Sequence, residues 1–177
     1  KVLIASGALL DKADKYGWTP LHIASKNGHL EIVKVLIASG ALLDKADKYG
    51  WTPLHIASKN GHLEIVKVLI ASGALLDKAD KYGWTPLHIA SKNGHLEIVK
   101  VLIASGALLD KADKYGWTPL HIASKNGHLE IVKVLIASGA LLDKADKYGW
   151  TPLHIASKNG HLEIVKVLIA SGALLDK

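Results

Sequence analysis

Cysteine is absent from all 177 residues, so neither a disulfide nor thiol chemistry is available and the redox compartment stays open. Arginine is absent as well, and with it the side chain best suited to bidentate phosphate contact. A pI near 9.4 is then weak support for nucleic acid, which is not expected as a partner. Apolar runs are short. None approaches the roughly 18 to 20 residues of a membrane span, so a membrane is not expected as a partner either. Without an HExxH pattern or a Cys/His cluster, no metal and no other cofactor is expected. The sequence opens inside a repeated unit, which is not the pattern of a secretory signal.

Repetition fills the chain instead. The 33-residue unit KVLIASGALLDKADKYGWTPLHIASKNGHLEIV begins at Lys1 and returns unchanged from Lys34, Lys67, Lys100 and Lys133, before KVLIASGALLDK starts another copy. Framed from a turn, the units run 14–46, 47–79, 80–112, 113–145 and 146–177. The last is one residue short, and 1–13 is a partial leading unit, all within one continuous domain. Such an array builds its core between neighbours, so length says little about domain count. Each unit sets Lys15, Lys26, Lys34 and Lys45 against Asp14, Glu31 and Asp44, and the total is a net charge of +6 with the two signs interspersed.

Within the unit, Asp14-Lys15-Tyr16-Gly17 reads as a turn, with Asp favoured at its first position and Gly at its last. Thr19-Pro20 reads as a helix start. The Thr hydroxyl can accept from the N–H of His22, and proline at the first helical position loses no bond. A short helix follows over 20–26, with Leu21, Ile23 and Ala24 as its apolar side, and Gly28 suits a left-handed stop. The second helix is expected from Leu30 to Ala38 or Ser39. Leu30, Val33, Leu36 and Ile37 form its stripe, Ile32 and Val35 widen it, and Gly40 ends it. Asn27-Gly28 is also a hairpin signal, but its flanks carry helical spacing rather than alternation. Neither helix is long enough to persist alone, so stability must come from the adjacent unit.

Gly17, Thr19-Pro20-Leu21-His22, Ala24, Gly28-His29-Leu30-Glu31-Ile32-Val33, Leu36 and Gly40-Ala41 together resemble the ankyrin-repeat pattern, at that family's own period and over the whole chain. The resemblance implies an all-α fold. Paired antiparallel helices and a projecting turn or hairpin would stack into a curved solenoid without a closed core. It also implies a concave face of turns and first helices that binds other proteins, and rings at His22 and His29 that tie turn to helix. Two departures stand out. Leu42 replaces a polar residue, so Leu9, Leu42, Leu75, Leu108, Leu141 and Leu174 form a candidate exposed apolar row, with Leu43 filling the usual apolar slot. Ser25 stands where Ala is commoner, a small loss of packing.

Catalysis is not expected. Each unit holds Ser, His and Asp, but every one has a structural role or an exposed position, and identical shallow surfaces are unlike a water-excluding site. Asp11, Asp14 and Gly17 faintly suggest a calcium loop, yet the carboxylate spacing is wrong and His22 stands where the closing Glu would be. The sharper candidates are the positions that the resemblance makes partner-reading: Lys15, Tyr16, Trp18, Lys26 and Asn27. Their aromatic copies are Tyr49, Trp51, Tyr82, Trp84, Tyr115, Trp117, Tyr148 and Trp150. Tyr and Trp make good anchors, having large area and few rotatable bonds. The competing expectation is that Trp18 lies over its own turn and shields it.

Identity itself carries information. A natural partner's surface is irregular, whereas these units offer no differences with which to match it. No polar capping repeat is present either. The expectation is therefore an artificial consensus array, whole or a slice of a longer one. Its partner would be a protein: a designed target, or the chain itself stacked end to end. Val2, Leu3 and Ile4 at one end, with Leu162, Val165, Leu168 and Ile169 at the other, are the candidate contacts for that stacking.

Overall fold

The computed structural model describes residues 9–175. Among these, every segment of regular structure is α-helical and the helices come in pairs. The pairs are α1 (Pro20–Asn27) with α2 (Leu30–Ala38), α3 (Pro53–Asn60) with α4 (Leu63–Ala71), and α5 (Pro86–Asn93) with α6 (Leu96–Ala104). They are followed by α7 (Pro119–Asn126) with α8 (Leu129–Ala137), and α9 (Pro152–Lys158) with α10 (Leu162–Ala170). The first helix begins where the sequence places it and runs one residue further; the second ends at Ala38.

Each first helix is fixed at its start by a reciprocal cap. The Thr19 hydroxyl accepts from the His22 N–H, while the His22 ring accepts from the Thr19 N–H at 3.1 Å, so histidine does the work that Glu or Gln does in the usual capping box. At the other end Gly28 adopts φ +74°, a left-handed stop that only glycine takes without strain. A side chain there would also meet the ring of His62 in the following unit, at 2.9 Å from a built Cβ. The Asn27 amide donates back to the Ile23 carbonyl of its own helix at 3.0 Å, which holds the side chain against the last turn. No hairpin forms at Asn27-Gly28.

Packing then runs from unit to unit. First helices pack on first helices and second on second, and the contact between first helices is the more extensive. The core is one continuous cluster, to which Leu54, Ala57, Ile65, Val66 and Leu69 and their copies in the units at 80–112 and 113–145 contribute. Leu43 packs against this core, as the apolar slot requires, while Leu42 and its copies stand exposed in a row.

Candidate functional site: an aromatic and cationic groove

The turns and first helices of successive units form one continuous groove of about 1710 Å³. Its floor is built by Asp47 and its copies. Asp47 Oδ1 accepts from the backbone N–H groups of Tyr49 and Trp51, both at 2.8 Å, closing the turn on itself. Its Oδ2 accepts from the indole Nε1–H of Trp18, in the preceding unit, at 2.9 Å. The same bond recurs from Trp51 to Asp80, Trp84 to Asp113 and Trp117 to Asp146. For Asp146, burial alone would raise the carboxyl. The N–H groups of Trp150 and Tyr148, the Trp117 indole and nearby His121 outweigh burial and hold it below its ordinary value of 3.8.

A second clasp lies behind the first. His22 Nε2 sits 2.9 Å from the Trp51 carbonyl. A carbonyl can only accept, so Nε2 carries the proton and Nδ1 is left bare to accept from the Thr19 N–H and hydroxyl. The ring is therefore neutral. Burial, the largest influence, pushes His22, His55, His88 and His121 below the ordinary value of 6.5 despite the following unit's carbonyl and the neighbouring aspartates. The other histidine of the unit also bridges neighbours, with His62 Nε2 donating to the Lys26 carbonyl at 2.9 Å. Ten histidines are thus spent on the fold or repeat positions that are, and no group of three or more potential metal ligands occurs among the described residues. No helix among the described residues is long and apolar enough to cross a membrane.

The aromatic pair divides into two roles. Trp51 is half-buried, stacked on His55 with centroids 5.9 Å apart, and carries the Lys59 ammonium 5.5 Å from its ring. It joins two units, so the expectation that Trp18 merely shields its own turn understates it. Tyr16, Tyr49, Tyr82, Tyr115 and Tyr148 are exposed along the turns. Lysines stand between them: Lys48 lies 5.0 Å from the Tyr16 ring and 5.1 Å from that of Tyr49, and Lys81 lies 4.7 Å and 5.1 Å from Tyr49 and Tyr82. Lys15 sits over Tyr16 and Lys26 over Trp18 in the same manner. Tyr16, Trp18, Lys26 and Asn27 and the aromatic copies line the groove, with the Asn27 amide bonded to its own helix, whereas Lys15 stands outside the lining over Tyr16.

The candidate end contacts are less uniform. Val2, Leu3 and Ile4 lie outside the described residues. Leu162 and Ile169 are exposed and Val165 is half-buried. Leu168 is fully buried, because it belongs to the core beneath that surface and does not face outward.

A model of the family described as ankyrin repeats (3 copies) matches residues 1–80, 40–113, 74–146 and 105–177. The chain belongs to the ankyrin-repeat family. A comparison with curated proteins finds no match. Members of this family are in general protein-binding scaffolds, and the array of helix pairs described above is the solenoid that the family's pattern implies.

Proposed function

We propose that this ankyrin array is a non-catalytic scaffold that binds a protein segment along the groove, through the tyrosines of the turns and the lysines between them. The observation that carries this reading is the continuity of the groove, which presents an exposed Tyr, a half-buried Trp and a first-helix lysine in unit after unit, with a turn lysine beside the tyrosines at its edge. Tyrosine is the better anchor, because Trp51 and its copies are already committed to the next unit's aspartate. The test is a displayed peptide library selected on the chain and then on a Tyr49→Ala, Tyr82→Ala, Tyr115→Ala variant. Binders should lose about tenfold or more in affinity on the variant. Enrichment that ignores the three tyrosines would reject the reading.

A second reading, head-to-tail stacking, is favoured by the translational match of the unit's two faces. One face offers Trp Nε1–H and His Nε2–H donors, and the other offers the Asp Oδ2 and Trp carbonyl that accept them. Any end of such an array, wherever it falls, presents one of these faces, and a head-to-tail contact that does not close generates a filament. Light scattering across a concentration series should then show growth; a strictly monomeric sample at every concentration would sink it. We infer further that the array is artificial, because Tyr16, Lys26 and Leu42 recur as faithfully as the core although the fold does not require them. A genomic locus encoding the same run of repeats would overturn that.

A further inference from the structure

We infer that the occupant of the groove is a polyproline II segment carrying a carboxylate at every third residue. This rests on the groove reading above and adds the chemistry of the partner. Three observations converge on it.

The first is charge. The groove's own carboxylates are held by the fold, since Asp47, Asp80, Asp113 and Asp146 each accept three N–H groups, one carboxylate per unit against two lysines. The ion pairs seen among the described residues join Glu31 to Lys34 and their copies on the second helices, outside the groove. Lys48, Lys59, Lys81, Lys92, Lys125 and Lys147 lie over aromatic rings with no carboxylate in ion-pair range among the described residues, and an acidic partner complements them.

The second is hydrogen bonding. The indole N–H groups of Trp18, Trp51, Trp84 and Trp117 donate to aspartates that each already accept two backbone N–H groups, so few acceptors are left for a peptide's own N–H groups, while lysine ammonium and tyrosine hydroxyl groups remain to donate to its carbonyls. The N–H groups of an ordinary extended peptide would lose their hydration there without replacement. Proline has no N–H to satisfy, and proline-rich segments dock on aromatic-lined grooves in a conformation they already hold in water.

The third is spacing. Neighbouring helices pack about 8 to 10 Å apart. Polyproline II has three residues per turn and rises about 3.1 Å per residue, so every third residue returns to the same face after about 9.3 Å. A β-strand returns to the same face after about 6.7 Å and misses the very next unit by about 1.3 to 3.3 Å. Identical units thus suit a partner with a period of three, each carboxylate reaching one lysine rung and each proline one ring.

The experiment titrates the chain with (Glu-Pro-Pro)5, about 15 residues long, followed by tryptophan fluorescence and calorimetry. Comparators are a peptide of the same composition with its carboxylates bunched at one end, (Gln-Pro-Pro)5, (Glu-Gly-Gly)5 and an oligothymidylate of similar length. The spaced acidic peptide should saturate, weaken with salt, and bind about tenfold or more tighter than each peptide comparator. Replacing Lys48→Gln, Lys81→Gln and Lys147→Gln together should remove that advantage with circular dichroism unchanged, whereas arginine at the same three positions should keep it. Equal binding of spaced and bunched peptides, or oligothymidylate binding as tightly, would mark a plain polyanion surface and overturn the inference. If the spaced peptide fails while a selected peptide of other chemistry binds in a tyrosine-dependent way, the inference falls and the groove reading stands. If no peptide perturbs the tryptophans, both fall.

Discussion

The unit at 80–112 and the units at either end of the described chain carry the same residues in different surroundings. Ile23 in the first unit is 43% exposed and its copy Ile56 is 2%; Ile32 is 51% exposed and Ile65 is 1%. At the far end His154 and Leu153 are only half-buried where His88 and Leu87 are fully buried. Nothing in the sequence of a unit distinguishes the two cases. Burial of these side chains is supplied by the neighbour, so stability belongs to the interface as much as to the unit, the behaviour expected of a one-dimensional array. Substituting the same residue at the middle and at the end therefore separates the two contributions.

The largest difference is expected at the buried histidine. In His88→Leu, the Thr85 N–H and the Trp117 carbonyl both lose their partner inside the stack, a loss of about 2 to 4 kcal/mol. His154→Leu removes only the cap on Thr151, a loss of about 1 kcal/mol. Urea unfolding read with hydrogen exchange should rank them in that order, and equal losses would mean that the bond to the next unit contributes nothing.

Acid acts on the same rings all at once. His22, His55, His88 and His121 are held below 6.5 by burial, so the unfolded chain takes up protons at a higher pH than the folded one. Their contribution is complete above about 6.5 and is lost as pH falls through the lower folded values. Asp146, held below 3.8, behaves likewise in a lower window: its stabilisation is present above 3.8 and disappears as pH falls through the folded value. The urea midpoint should fall in two stages between neutral pH and strong acid. A midpoint constant from pH 7.5 to 5.5 would contradict the neutral, bridging role of the rings.

How much of this could be read beforehand differs by kind of bond. Contacts within a unit were legible, because Thr19-Pro20, Gly28 and the apolar stripe are local patterns with local causes. Bonds between units were not. Trp18 to Asp47 and His22 to the Trp51 carbonyl both span 29 positions, and a strictly periodic sequence offers no signal that links one copy of a residue to another. The groove positions were legible through the family pattern, but the split between a clasping Trp and an exposed Tyr needed the three-dimensional neighbour. Ile32 shows the same limit, since a stripe of period 3.6 says which side is apolar and not whether a neighbour covers it.

A smaller contrast is expected at the turn glycine. Gly83 and Gly149 both have φ +85°, so alanine costs about 1 kcal/mol at either from the backbone alone. At Gly83 the added Cβ would also fall 2.9 Å from the Asp113 Cα, whereas nothing lies within 4 Å at Gly149. The clash is with backbone and cannot be relieved by rotating a side chain. Gly83→Ala should thus cost about 2 kcal/mol, and thermal melts of the two variants should differ by the clash alone.

The smallest contrast has the opposite sign. Ser58, Ser91 and Ser124 are fully buried and their hydroxyls have no hydrogen-bond partner, which is a heavier defect than the loose packing that the sequence suggests at Ser25 and its copies. Ser157, in the last unit, is exposed. Alanine is the better helix former at every one of these sites, by a few tenths of a kcal/mol. Only at the interior sites does it also remove a desolvated hydroxyl, worth about 1 kcal/mol. Ser91→Ala should therefore raise the unfolding midpoint more than Ser157→Ala does. Combining Ser58→Ala, Ser91→Ala and Ser124→Ala should add nearly in full if each hydroxyl is stranded within its own unit. A gain at Ser157 equal to that at Ser91 would trace the effect to helix propensity and clear the interface of any cost.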